Sequence, residues 1–107
     1  MTVGEMRQEL KYVRDYYAGE AKFATIARLI DIDYLKCLAT KYNQAIVGAE
    51  PKLVLLYHAL YVEGMQQTSV AREWNYTPEY IRTLARKLDT YLLSKINQCH
   101  KEMSEIG

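Results

Sequence analysis

From Ile81 to Met103 the chain places an apolar residue every three or four positions: Ile81, Leu84, Leu88, Leu92, Ile96, Cys99 and Met103. That spacing averages close to the helical period of about 3.6 residues and does not suit a strand, whose faces alternate at every second residue. No proline interrupts it. A helix of this length carries a single apolar stripe, which is stable only when other elements cover it. The remainder of the chain must therefore supply partners for one long C-terminal helix.

Those partners read as helices too. Thr2-Val-Gly-Glu5 has the spacing of a capping box, and Val3, Met6, Leu10, Val13 and Tyr17 follow as one stripe to about Ala18, with Gly19 as the stop. Glu20 to Ile30 puts Phe23, Ala24, Ile26, Ala27 and Ile30 on a second helical face. Asp31 or Asp33 can cap a third helix through Tyr34, Leu35, Leu38 and Tyr42. Val47-Gly-Ala-Glu-Pro51 breaks the pattern, and Pro51 suits the first turn of a fourth helix carrying Leu53, Leu56, Tyr57 and Leu60 to Val62. A short helix spans Gln67 to Trp74, and Asn75-Tyr76 is a turn. Thr77, Pro78 and Glu79 then supply a capping hydroxyl, a proline at the first helical position and an acid at the positive helix end. Five glycines and two prolines in 107 residues are too few for a turn-rich β-sandwich. The expected fold is a single all-α domain over residues 1–107, a five- or six-helix bundle. Its helical hairpin 1–47 joins the helices of 51–103 near Gly48.

Fourteen Lys and Arg oppose thirteen Asp and Glu, a net charge of +1, so no global field announces nucleic acid or membrane. Half the residues are hydrophobic, which excludes a wholly disordered chain. Cys37 and Cys99 stand far apart without a CxxC or Cys/His cluster and read as small core residues. His58 and His100 read as solvated or structural. No secretory leader or membrane span is expected, and the compartment expected is the cytoplasm. No Gly-rich phosphate loop, paired-carboxylate site or Ser/His/Asp set is visible, so no enzyme, cofactor or metal is expected.

Chemistry concentrates between Leu56 and Leu88. A helix-turn-helix needs a small residue where its helices cross, which Ala71 supplies. It needs apolar inward faces, which Val70, Trp74, Ile81 and Leu84 supply, and a short polar turn, which Asn75-Tyr76-Thr77 supplies. Helical spacing then turns Glu79, Arg82, Thr83, Arg86 and Lys87 outward. From Pro78 to Lys101 the basic residues Arg82, Arg86, Lys87, Lys95 and Lys101 face only Glu79 and Asp89, a local +3, which leaves the rest of the chain at −2. An arginine fork matches a guanine edge or a phosphate. Lys95 and Lys101 read as solvated, and Glu73 or Asp89 are candidate partners for the basic residues. An echo links Ile26-Ala-Arg28 and Tyr34 to Lys41 with Val70-Ala-Arg72 and Tyr80 to Lys87, which raises a second such motif as an alternative to chance similarity.

The stretch Leu55 to Leu88, LLYHALYVEGMQQTSVAREWNYTPEYIRTLARKL, resembles region four of bacterial sigma factors, which reads the promoter −35 element with a helix-turn-helix. It is similar as well to small phage-encoded regulators such as the RinA- and ArpU-type late-gene activators. The resemblance covers about a third of the chain. It implies that Thr77 caps the recognition helix and that Glu79 and Thr83 sit where bases are read. It implies base or phosphate contacts for Arg82, Arg86 and Lys87. Pro78 departs from a position that is often basic, and Trp74 and Asn75 from a small aliphatic residue and a glycine. No segment resembles the sigma region that opens the −10 element.

The function expected is therefore a sequence-specific, double-stranded-DNA-binding transcription regulator, phage or mobile-element encoded, reading the major groove with helix 78–101. In that reading Arg82 and Thr83 read base edges, Glu79 accepts from a cytosine amine, and Arg86 and Lys87 hold phosphates. Tyr12, Tyr16 and Tyr17, three of ten tyrosines, are the candidate surface for a homodimer, RNA polymerase or another regulator. The main alternative is a protein-interaction module with a degenerate helix-turn-helix, and a third is a DNA-packaging adaptor.

Overall fold

A computed structural model of the chain describes residues 1–18 and 32–106, with side chains described for 1–18 and 34–98. The helix expected over Glu20 to Ile30, the Gly19 stop before it, the Ile26-Ala-Arg28 part of the sequence echo and Asp31 lie outside them. So do the side chains of Cys99, His100 and Lys101. The described residues form five α-helices and no strand: α1 (Val3–Tyr17), α2 (Ile32–Ala45), α3 (Pro51–Tyr57), α4 (Gln67–Trp74) and α5 (Pro78–Ile106). A π-helical turn, His58–Val62, continues α3.

Local chemistry explains most of the ends. At α1, the Thr2 hydroxyl accepts from the Glu5 amide (3.2 Å) while the Glu5 carboxylate accepts from the Thr2 amide (3.1 Å), the reciprocal capping box. Asp33 falls inside the first turn of α2, not before it. Gly48 turns the chain between α2 and α3 with φ +93°, a left-handed conformation that favours glycine. Pro51 opens α3, where its missing amide costs nothing.

The fourth helix expected to run unbroken to Val62 widens instead at His58. Glu63 donates its amide to the His58 carbonyl five residues back (2.9 Å). Helical spacing sets Ala59 off the stripe of Leu53, Leu56 and Tyr57, yet Ala59 and Leu60 are both buried, and α1 lies against this turn.

One apolar cluster joins all five helices. Met6, Leu10 and Val13 of α1 meet Leu38, Ala39 and Tyr42 of α2, and α1 also lies against the π-turn. Both α3 and α4 pack on α5, whose Ile81, Leu84, Leu88, Leu92 and Ile96 form the longest buried row. Two sequence expectations fail at the edges of this core. Val3 is exposed at the first residue of α1. Cys37 is exposed, because the inward row of α2 runs through Leu35, Leu38, Ala39 and Tyr42 and a residue one before Leu38 points about 100° away from it.

Tyrosine lets this core meet polar groups. Tyr42 is fully buried, yet its hydroxyl donates to Glu9 (2.6 Å), which also accepts from Lys41 (3.0 Å). Tyr57 donates to Asn43 (2.7 Å), and the Asn43 amide donates to the Tyr17 hydroxyl (2.9 Å). Among the described residues no buried side-chain N or O atom lacks a partner.

Two predictions test this packing. Truncating Leu88, which has no exposed surface, to alanine should cost about 3 kcal/mol in urea unfolding. A loss under about 1 kcal/mol would refute the central place of α5. At Asn75, which holds φ +60°, Asn75→Gly should leave stability within a few tenths of a kcal/mol, whereas Asn75→Ala should lose about 1 kcal/mol. Equal midpoints for the two variants would refute the assigned backbone conformation.

Candidate nucleic-acid interface

Three residues separate α4 from α5, and their backbone is tightly specified. Asn75 adopts the left-handed conformation (φ 60°, ψ 40°), so it does what glycine usually does at a helix end. The Tyr76 amide reaches the Ala71 carbonyl (2.9 Å) and the Asn75 amide the Arg72 carbonyl (3.4 Å), closing the end of α4. The Thr77 hydroxyl accepts from the Tyr80 amide (3.1 Å), the capping role expected of it. Val70 and Ala71 are buried against α5 beside Ile81 and Leu84, while Trp74 covers the rim half-buried.

Glu79, Arg82, Thr83, Arg86 and Lys87 are all exposed, as the spacing requires. At about 100° per residue, the side opposite the buried row is led by Glu79, Thr83 and Thr90. Arg86 and Lys87 stand on the two shoulders of that crest. Arg82 and Tyr80 mark its two edges. Among the described residues the heads of Arg82, Arg86 and Lys87 make no hydrogen bond or ion pair. Arg14 by contrast donates to the Gly64 carbonyl (2.9 Å), and Lys41 is held by Glu9. The Thr83 hydroxyl donates to the Glu79 carbonyl (3.0 Å), and that of Thr90 to the Arg86 carbonyl (3.0 Å). With that proton engaged, Thr83 offers an outside ligand only acceptor capacity and its methyl group.

Asp89 does not neutralise these cations. It pairs across the bundle with Arg7 of α1 (3.2 Å), and its side chain is only 14% exposed. Burial holds its carboxyl above the ordinary aspartate range although the Arg7 guanidinium pulls the other way. Glu73 is exposed and makes no ion pair among the described residues.

Sequence reasoning passed over a second group at the same end of α5. The rings of Tyr76 and Tyr80 lie 4.7 Å apart, both partly exposed. The Lys52 ammonium, from α3, donates to the Tyr80 hydroxyl (3.1 Å) and sits 5.1 and 5.4 Å from the two ring centres. The Tyr80 hydroxyl holds that ammonium above the usual lysine range. The Tyr76–Tyr80 spacing of four residues is legible in the sequence, but nothing local brings Lys52 to it. An open cleft of about 570 Å³ lies between Glu50 and Leu53 at the start of α3 and Thr83, Arg86, Lys87, Thr90, Tyr91 and Ser94 of α5.

The tyrosines proposed for a partner surface lie elsewhere. Tyr12, Tyr16 and Tyr17 are half-buried against the core, with Tyr16 edge-on to Tyr17 (ring centres 5.2 Å apart) and the Tyr17 hydroxyl held by Asn43. His58 is exposed beside Glu63 (3.7 Å). Among the described residues no three His, Cys, Asp or Glu side chains are gathered to hold a metal ion, and no helix is long and apolar enough to cross a membrane.

The Asp89 environment gives a signed pH prediction. Its folded pKa lies above the unfolded one, so the fold prefers the protonated acid. Stability from this group is full below the unfolded value and is lost as pH rises through the folded one. Asp89→Asn should therefore unfold at higher urea than the wild type at pH 7, with the gap closing by about pH 3. Arg7→Ala should cost about 1 kcal/mol at pH 7 by leaving the carboxylate unpaired. An Asp89→Asn variant less stable than wild type at pH 7 would refute the account.

The chain matches no protein-family model, and neither a curated protein nor a solved structure matches it at a significant level.

Proposed function

We propose that the chain is a sequence-specific, duplex-DNA-binding transcription regulator in which α4 and α5 act as a helix-turn-helix and the first turns of α5 enter the major groove. One observation carries this reading: three exposed cations, Arg82, Arg86 and Lys87, flank an acceptor-bearing crest and make no hydrogen bond or ion pair among the described residues. Such groups add little to folding and suit phosphates and guanine edges.

Position on the helix divides the work. Glu79 and Thr83, on the crest, face the groove floor as acceptors and favour the amino groups of cytosine or adenine. Arg86 has the planar fork that grips guanine, which Lys87 on the other shoulder lacks. Lys87 and Arg82 then hold phosphates of opposite strands. This moves Arg82 from the base edge expected of it to the backbone and Arg86 from the phosphate expected of it to a base edge, because Arg82 stands at the side of the crest and Arg86 nearer its top. The phage or mobile-element origin rests on the resemblance of Leu55 to Leu88. A second reading, a protein-interaction module, is favoured by Val47 and Leu55, apolar residues 72% and 59% exposed.

Selection from a random duplex pool tests the assignment. The wild type should enrich one motif with C or A opposite the crest. Arg86→Ala should relax one guanine position by about 1–3 kcal/mol, whereas Arg82→Ala and Lys87→Ala should weaken all sequences alike. A wild type that enriches nothing refutes DNA reading and leaves the protein-interaction module.

A further inference from the structure

We infer that Lys52, Tyr76 and Tyr80 form a built seat for one DNA backbone phosphate, on the strand that borders the Tyr80–Lys87 side of α5. This inference rests on the DNA-binding reading and extends it to a residue outside the helix-turn-helix.

Three features favour this ligand. First, Lys52 is pre-positioned. An exposed lysine ordinarily samples many rotamers, and fixing it opposes binding. Here a hydrogen bond to the Tyr80 hydroxyl and two aromatic faces hold the ammonium in place before any ligand arrives. Second, the donors are free. The ammonium has three protons, of which Tyr80 takes one and Tyr76 draws a second, which leaves one for a ligand; accepting the Lys52 bond leaves the Tyr80 phenol's own proton available. Among the described residues Lys52 makes no ion pair. An ammonium and a phenol 3.1 Å apart present two donors to one anionic group. Third, the location is right. Tyr80 is at one edge of the outer face of α5 and Arg82 at the other. A helix in a major groove about 12 Å wide runs between two phosphate backbones. Arg82 meets one, and Lys87 with the Lys52–Tyr80 pair meets the other.

A phosphate seat supplies affinity and salt dependence but no sequence information. Binding to the motif-bearing duplex chosen by the wild type is therefore measured for wild type, Lys52→Gln and Tyr80→Phe across 50–200 mM salt, and each variant is put through the same selection. Lys52→Gln should bind the duplex roughly tenfold more weakly at 50 mM. Its slope of log affinity against log salt should be shallower by about 0.9, so its deficit shrinks about threefold by 200 mM. Tyr80→Phe should bind severalfold more weakly with the wild-type slope, because it removes a donor and no charge. Both variants should recover the wild-type motif. All three positions are at the surface, so unchanged thermal unfolding serves as the folding control.

Wild-type affinity and slope in Lys52→Gln would overturn the seat while the DNA reading stands. An altered motif in Lys52→Gln would overturn it by making Lys52 a base reader. A wild type that binds no duplex would overturn the seat and the DNA reading together.

Discussion

The inward row of α5 is the constraint on which the rest depends. Ile81, Leu84, Leu88, Leu92 and Ile96 are buried along one side of a helix running from Pro78 to Ile106, and both α3 and α4 lie on it. An α-helix has one rotational setting per apolar stripe, so burying that side leaves no freedom in what the opposite side shows. The outward presentation of Glu79, Thr83, Arg86 and Lys87 is thus a consequence of core packing. The surface chemistry proposed for DNA and the hydrophobic core are two sides of one element.

A small helical domain also has to reconcile a limited core with the polar groups its helices bring along. Tyrosine answers that need here. Tyr42 and Tyr57 bury large rings while their hydroxyls end on Glu9 and Asn43, so apolar area is gained and no donor is stranded. The same amphipathic character appears outside the core at Tyr76 and Tyr80, where the rings form a platform for Lys52. Ten tyrosines therefore divide between at least two physical roles. Their number alone does not mark an interaction surface.

Much of this was legible because it is local. The capping box at Thr2, the proline starts at residues 51 and 78, the Thr77 cap and the buried rows each depend on residues within one or two turns. The misreadings came where geometry drifts by a single residue or where partners come from afar. Cys37 neighbours apolar residues in sequence yet projects away from them. Ala59 lies off the stripe of its own helix and is buried where α1, distant in sequence, lies against that turn. Asp89 read as a neighbour for the arginines of its own helix, but it pairs with Arg7, 82 residues away.

By itself, then, the sequence determined that the chain is helical, where most described helices start and stop, and which residues of α5 turn outward. Each of these follows from short-range sterics, capping hydrogen bonds and the helical period. Tertiary structure alone decided which charges are already used and which remain available. Arg7, Arg14 and Lys41 are held by groups brought from other parts of the bundle, while among the described residues Arg82, Arg86 and Lys87 are not. It also decided that Lys52 meets Tyr76 and Tyr80, because the packing of α3 on α5, not spacing along the chain, brings that ammonium to the rings.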